Sequence, residues 1–104
     1  SIHKPWNWSW ISGHPTVTLK TVLNNPELPW KWHKLSSNLP IEDIINNKDL
    51  PWNFIHVSRN QTLTLDFILK YSLQIALIPS GNGAIYMRIR ILHIMIITLI
   101  TYLL

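Results

Sequence analysis

The sequence predicts an all-α chain: a short α-solenoid of helical-hairpin repeats with a hydrophobic C-terminal tail. Three observations predict it. The dipeptide Pro-Trp recurs at residues 5–6, 29–30 and 51–52, each time with matching flanks. Apolar residues within each recurrence fall three apart, the spacing of one helix face. With 47% hydrophobic and 13% charged residues, a wholly disordered chain is excluded. The 104 residues suffice for one small domain with a thin margin of stability. The absence of cysteine excludes a disulfide framework and a thiolate metal cluster.

The shared pattern is Pro-Trp, a polar residue, Trp or Phe, two free positions, an aliphatic residue and Ser. It divides the chain into a partial preceding repeat at 1–4, a first repeat at 5–28, a second at 29–50, an incomplete third at 51–70 and a tail at 71–104. Each repeat reads as two short helices. Glu27 and Asp49, just before Leu-Pro-Trp, are expected to accept from free N–H groups where the first helix begins. The proline that follows suits a first turn, because its missing N–H would be unpaired there. Trp8 and Ile11 share a face of that helix, as do Trp32 and Leu35. His14, Asn38 and Asn60 open a turn. Thr16 or Thr18, and Thr62 or Thr64, are the candidate N-caps of the second helix. Val22-Leu23, Ile44-Ile45 and Ile68-Leu69 form its apolar stripe. Asn24-Asn25 and Asn46-Asn47 are expected to end it in the left-handed conformation that Asn tolerates.

Helices this short are not stable alone in water. Stacked repeats bury what one cannot. The expected repeat core is Trp6, Trp8, Ile11, Val22, Trp30, Trp32, Leu35, Ile44, Trp52, Phe54, Val57 and Ile68. Trp10 breaks the pattern, since its column holds Lys34 and His56 in the other repeats. A second variable column holds Asn7, Lys31 and Asn53. Trp10, Lys31, Lys34 and His56 are therefore the candidate partner surface.

The Pro-Trp-x-Trp-x-x-[Leu/Ile]-Ser-x-Asn half, followed by an [Ile/Leu]-Thr helix and an Asn-Pro-[Asp/Glu] link, resembles the short tandem Trp-rich repeats of uncharacterised proteins of giant DNA viruses. The resemblance covers residues 5–70. Phe54 departs from it, and so does the second repeat, two residues short near Leu39-Pro40. It implies a cytoplasmic protein of the host cell or virion, truncated from a longer array and built for protein interaction. Ser1 in place of Met implies a processed chain or a fragment.

The tail has two readings. Ile91–Leu104 carries no formal charge and is apolar apart from His93 and two threonines. That run is shorter than the ~20 apolar residues a membrane span needs. An anchor over residues 85–104 must therefore cross Arg88 and Arg90, which would serve as cytoplasmic flanking charges. In the second reading the tail is the next repeat in a shifted reading frame. A shifted Trp codon needs a following codon that begins GG, and only glycine supplies it. Gly81-x-Gly83 can thus hide Trp-x-Trp, and Arg88-Ile89-Arg90 can hide Asn-Pro.

No phosphate-binding loop, dinucleotide fingerprint or zinc-protease motif is present. No two histidines share metal-ligand spacing, and Glu42-Asp43, adjacent in sequence, point to different faces. Ser12, Ser36 and Ser58 occupy one column. That is the behaviour of a helix-end hydroxyl rather than a nucleophile. The net charge of +4 is modest for a nucleic-acid binder. The expectation is a noncatalytic scaffold with no cofactor and no metal. A small membrane-anchored protein with residues 85–104 as anchor is the alternative, and nucleic-acid binding is a weaker one.

Overall fold

The computed structural model describes residues 6–104, and among them every regular element is helical. The partial repeat at 1–4 and Pro5 lie outside the described residues. The helices are α1 (Trp8–Ser12), α2 (Leu19–Asn24), α3 (Trp32–Asn38), α4 (Ile41–Asn46), α5 (Phe54–Val57), α6 (Leu65–Lys70), α7 (Ser72–Ala76) and α8 (Ala84–Leu103). The molecule is elongated, 56 × 26 × 20 Å.

The first helix of each Pro-Trp segment starts later than expected. Glu27 and Asp49 cap nothing, and Pro29 and Pro51 lie outside the first turn. The N-caps are Asn7, Lys31 and Asn53, all with extended backbone. Asn7 Oδ1 accepts from Trp10 N at 3.0 Å, and Asn53 Oδ1 accepts from Ile55 N at 3.1 Å. The column expected to face a partner thus holds the three N-caps, two of them capping through the side chain. Asn is favoured there because its short side chain reaches back to the orphan N–H groups.

The second helices take their caps from threonine. Thr18 accepts from Thr21 N at 3.2 Å, and Thr64 from Phe67 N at 3.3 Å. The second segment, two residues short, has Pro40 as the N-cap of α4 and no threonine of its own. Thr62 of the third segment supplies one, accepting from Ile41 N at 2.8 Å. Asn25 and Asn47 end α2 and α4, but with φ of −133° and −134° rather than in the left-handed region. They work through side chains instead. Asn25 Nδ2 donates to Thr21 O at 2.9 Å and Asn47 Nδ2 to Asp43 O at 2.7 Å, which occupies a carbonyl the helix leaves free. Their own carbonyls accept Trp30 Nε1 at 2.9 Å and Trp52 Nε1 at 2.7 Å.

Contacts between segments recur in kind. Ser12 Oγ accepts from Lys31 N at 2.9 Å, and Ser36 Oγ accepts from Asn53 N at 2.9 Å. Asn38 Nδ2 donates to His14 O at 3.0 Å; Asn60 Nδ2 donates to Ser36 O at 3.0 Å and Leu39 O at 2.6 Å. Trp8 meets Trp30 edge-on at 5.4 Å, and Trp32 meets Trp52 the same way at 5.1 Å. Such edge contacts suit the ring quadrupole. Helix α1 packs on α3, α3 on α5, and α5 on α8.

The core is built of Leu35, Ile44, Trp52, Phe54, Val57, Val22 and Ile68, joined by residues outside the expected set: Leu39, Ile41, Ile45, Leu63, Ala84 and Met87. Trp8, Ile11, Trp30 and Trp32 are half-buried. Trp6, counted with the core from the sequence, is 46% exposed. Its column deepens along the chain, to half-buried at Trp30 and 1% exposed at Trp52. Trp30 and Trp52 each meet a ring of the segment before them, Trp8 and Trp32, so burial in this column follows which segment lies alongside.

After α7 the loop through Gly81, Asn82 and Gly83 has φ of +113°, +48° and +82°. Gly83 has no substitute: a Cβ there would lie 2.5 Å from Ile55 Cγ1 and 2.7 Å from Ile55 N. This approach lets Asn82 O accept from Phe54 N at 2.8 Å. It also seats the start of α8 on α5. Helix α8 then runs for 20 residues, straight through Arg88 and Arg90. The apolar stretch that looked too short from Ile91 onward is part of a helix long enough to span.

Candidate functional site

Two surfaces stand out. The first is polar and crosses α1, α3 and α5. Gly13 ends α1, and the Lys34 side chain lies close beside it; a Cβ on Gly13 would be 3.9 Å from Lys34 Cδ. Lys34, Asn38, Arg59, Asn60 and Thr62 continue the same cavity of about 420 Å³. Its floor is rigid because Asn38 and Asn60 hold successive segments together. Asn60, 3% exposed, uses both ends of its amide: Oδ1 also accepts from Thr62 N at 2.9 Å and from Thr62 Oγ1 at 2.6 Å. His14 copies this turn in the first segment, where Nδ1 meets Thr16 Oγ1 at 2.7 Å and Thr16 N at 3.2 Å.

Of the candidate partner residues, Trp10 is 65% exposed and packs its ring edge-on against His14 at 5.1 Å. Lys34 lines the cavity, and the adjacent His33 meets His56 ring to ring, tilted, at 5.4 Å. Lys31 is exposed and serves as the N-cap of α3, without a side-chain cap. The His56 imidazole is held below the ordinary histidine pKa by partial burial first, then by the positive charges of Arg59, His33 and Lys34. Arg59 and His33 were not in the expected surface set. Arg59 follows His56 by three residues, and its column holds the small Gly13 and Ser37. The turn after α5 brings it to the cavity that Lys34 also lines.

The second surface is α8. It is apolar over 20 residues, long enough to cross a membrane, and little of it is buried. Ile85, Ile89, Leu92, Ile96, Leu99 and Leu103 are all more than 45% exposed. Its two threonines satisfy their hydroxyls within the helix, Thr98 Oγ1 to Ile94 O at 2.7 Å and Thr101 Oγ1 to Ile97 O at 2.8 Å. Arg88 is tied to the preceding loop, donating from Nη2 to Ile78 O at 2.8 Å. Leu65 and Leu69 of α6 face Leu92, Met95, Leu99 and Tyr102 across a wholly apolar groove.

Among the described residues no three His, Asp or Glu side chains converge to hold a metal ion. The Ser12 and Ser36 hydroxyls are buried and committed to backbone N–H groups of the next segment. Ser58 Oγ donates to Ile55 O within its own helix. The chain matches no known protein-family model, no curated protein and no solved structure.

Proposed function

We propose that the chain is a noncatalytic helical-repeat interaction module tethered to a membrane by α8. Supporting the solenoid reading are the paired contacts that recur between segments: serine to the next N–H, asparagine to the preceding carbonyls, and Trp edge to Trp face. One observation carries the tether. Helix α8 is largely apolar, twenty residues long and almost unburied. Twenty residues span about 30 Å of bilayer core. Each exposed Leu or Ile on it gains about 1.5 kcal/mol or more on leaving water.

With Ala84 and Met87, each 1% exposed, still seated, the C-terminal part of α8 leaves α6 and residues 89–104 reach about 24 Å, so the bilayer thins locally to meet them. Arg88 remains at the module, and Arg90 snorkels toward the headgroups. By the positive-inside rule the module then lies on the cytoplasmic face. The test is extraction of membranes from cells that express the full chain. The chain should stay in the pellet at alkaline pH, and Ile96→Arg with Leu99→Arg should release it. A wild-type chain found in the supernatant would sink the tether.

A second reading has its own support. α8 starts directly after Gly81-x-Gly83, where a shifted frame can hide Trp-x-Trp, and it lies on α5 as α5 lies on α3. In this reading the chain is a truncated array of the giant-virus type, and the tail is frameshifted. Sequencing the gene and transcript across codons 68–95 and beyond decides it. Further Pro-Trp-x-Trp units in the shifted frame would remove the tether, and early stop codons would leave it standing.

A further inference from the structure

We propose that the cavity across α1, α3 and α5 binds a short acidic peptide segment, its carboxylates on Lys34 and Arg59 and an apolar side chain against Trp10. The inference rests on the interaction-module reading and names its class of partner.

Charge is segregated around this cavity. The acidic residues of the chain are Glu27, Glu42, Asp43, Asp49 and Asp66, and none of them lines it. Glu42 is engaged elsewhere, accepting from the Tyr71 hydroxyl at 2.8 Å. Among the described residues no carboxylate meets the Lys34 ammonium or the Arg59 guanidinium. His33 and His56 stand in ring contact beside them. Cations gathered on a rigid floor without counter-charge repel one another, and an arriving carboxylate relieves that repulsion. Arg59 can take a carboxylate in a two-pronged hydrogen bond, and Lys34 acts as a point charge.

The dimensions suit a peptide. Helices packed side by side lie 8–10 Å apart, so three of them make a track of roughly 16–20 Å. An extended chain covers that length with about five or six residues. Trp10, three residues before Gly13 of the lining and in the same repeat column as Lys34, supplies an exposed ring on α1. An aromatic anchor beside a charged pair is the composition of a binding hot spot. A nucleic-acid strand fits less well. Its affinity comes from many phosphates neutralised at once, and two permanent cations supply little of that.

The experiment uses the full chain in a nonionic detergent. The probe is a fluorescein-labelled hexapeptide of four glutamates and two leucines, followed by anisotropy. Saturable binding that weakens with salt is expected. Lys34→Glu and Arg59→Glu should each lower affinity about tenfold or more, the size of one lost charge-assisted hydrogen bond. Trp10→Ala should lower it several-fold. Lys20→Glu, on α2 away from the cavity, should leave it unchanged. Circular dichroism and melting of each variant guard against misfolding. Absence of saturable binding overturns the inference, as does an equal loss with Lys20→Glu. Tighter binding of a six-nucleotide oligothymidylate overturns it in favour of nucleic acid. A photo-crosslinker at position 10 in cells separates the two levels. A partner protein captured without hexapeptide binding keeps the module and removes the acidic peptide. Failure of both removes both.

Discussion

Residues 6–70 and α8 satisfy the same backbone in opposite ways. In the first region the helices are four to seven residues long, and none could persist alone. Side chains from neighbouring segments complete them: serine takes an N–H, asparagine supplies donors to stranded carbonyls, and one threonine caps a helix in another segment. In α8 the backbone pairs with itself over twenty residues, and the described polar ties to the rest of the chain cluster at its start, at Arg88. The first region is stable only as an assembly in water. The second would keep its hydrogen bonds with no neighbours at all, which is what a bilayer demands.

This contrast breaks most visibly under side-chain deletion. Trp52→Ala should destabilise the chain by about 3–5 kcal/mol, because it empties a fully buried site and strands the Asn47 carbonyl. Ile96→Ala, on the exposed face of α8, should change stability by less than about 0.5 kcal/mol. Denaturant midpoints of the two variants measure the difference. Comparable losses would mean that α8 is packed like the first region, and the comparison would fail.

Polar side chains sharpen it at an intermediate scale. Asn60→Ala leaves the buried carbonyls of Ser36 and Leu39 without their donor and should destabilise by about 2–3 kcal/mol. Thr62→Val removes the cap of α4 and should lose about 1 kcal/mol. Thr98→Val, whose hydroxyl serves only its own helix, should be nearly neutral in the same assay. An Asn60 effect no larger than that of Thr98 would show that the segments are held by apolar packing alone.

The smallest effect is in pH. His56 has a folded-state pKa below the ordinary value. As pH falls through about 6.5, the unfolded chain therefore takes up the proton first. Stability carried by neutral His56 is present above that pH and lost below it. Melting temperatures from pH 7.5 to 5 should fall, and His56→Gln should flatten the slope. A wild-type chain more stable at pH 5 than at 7.5 would contradict the cationic surroundings of this ring.

The helical nature of the chain and the alternation of short helices could be read from the sequence, because Pro-Trp, Thr and Asn punctuate it at regular distance. The chemistry of the serine column was legible too, since a recurring hydroxyl belongs to the backbone. The placement of the caps was not. Glu27 and Asp49 looked like caps from proximity alone, but Pro-Trp forms an extended entry, and the helix waits for Asn7, Lys31 or Asn53. The cationic cavity was half legible. Trp10, Lys34 and His56 shared one column, while Arg59 sat in another and needed the turn after α5 to join them.

By itself the sequence determined the period, the helical class and the apolar character of the tail, because these depend on residue type and local spacing. Only the tertiary structure decided which tryptophans are buried, which threonine caps which helix, and that Gly83 must lie against Ile55. Those outcomes depend on which segment lies next to which. A ring such as Trp6 or Trp52 has the same local chemistry in either place, and its neighbour alone decides whether it meets water.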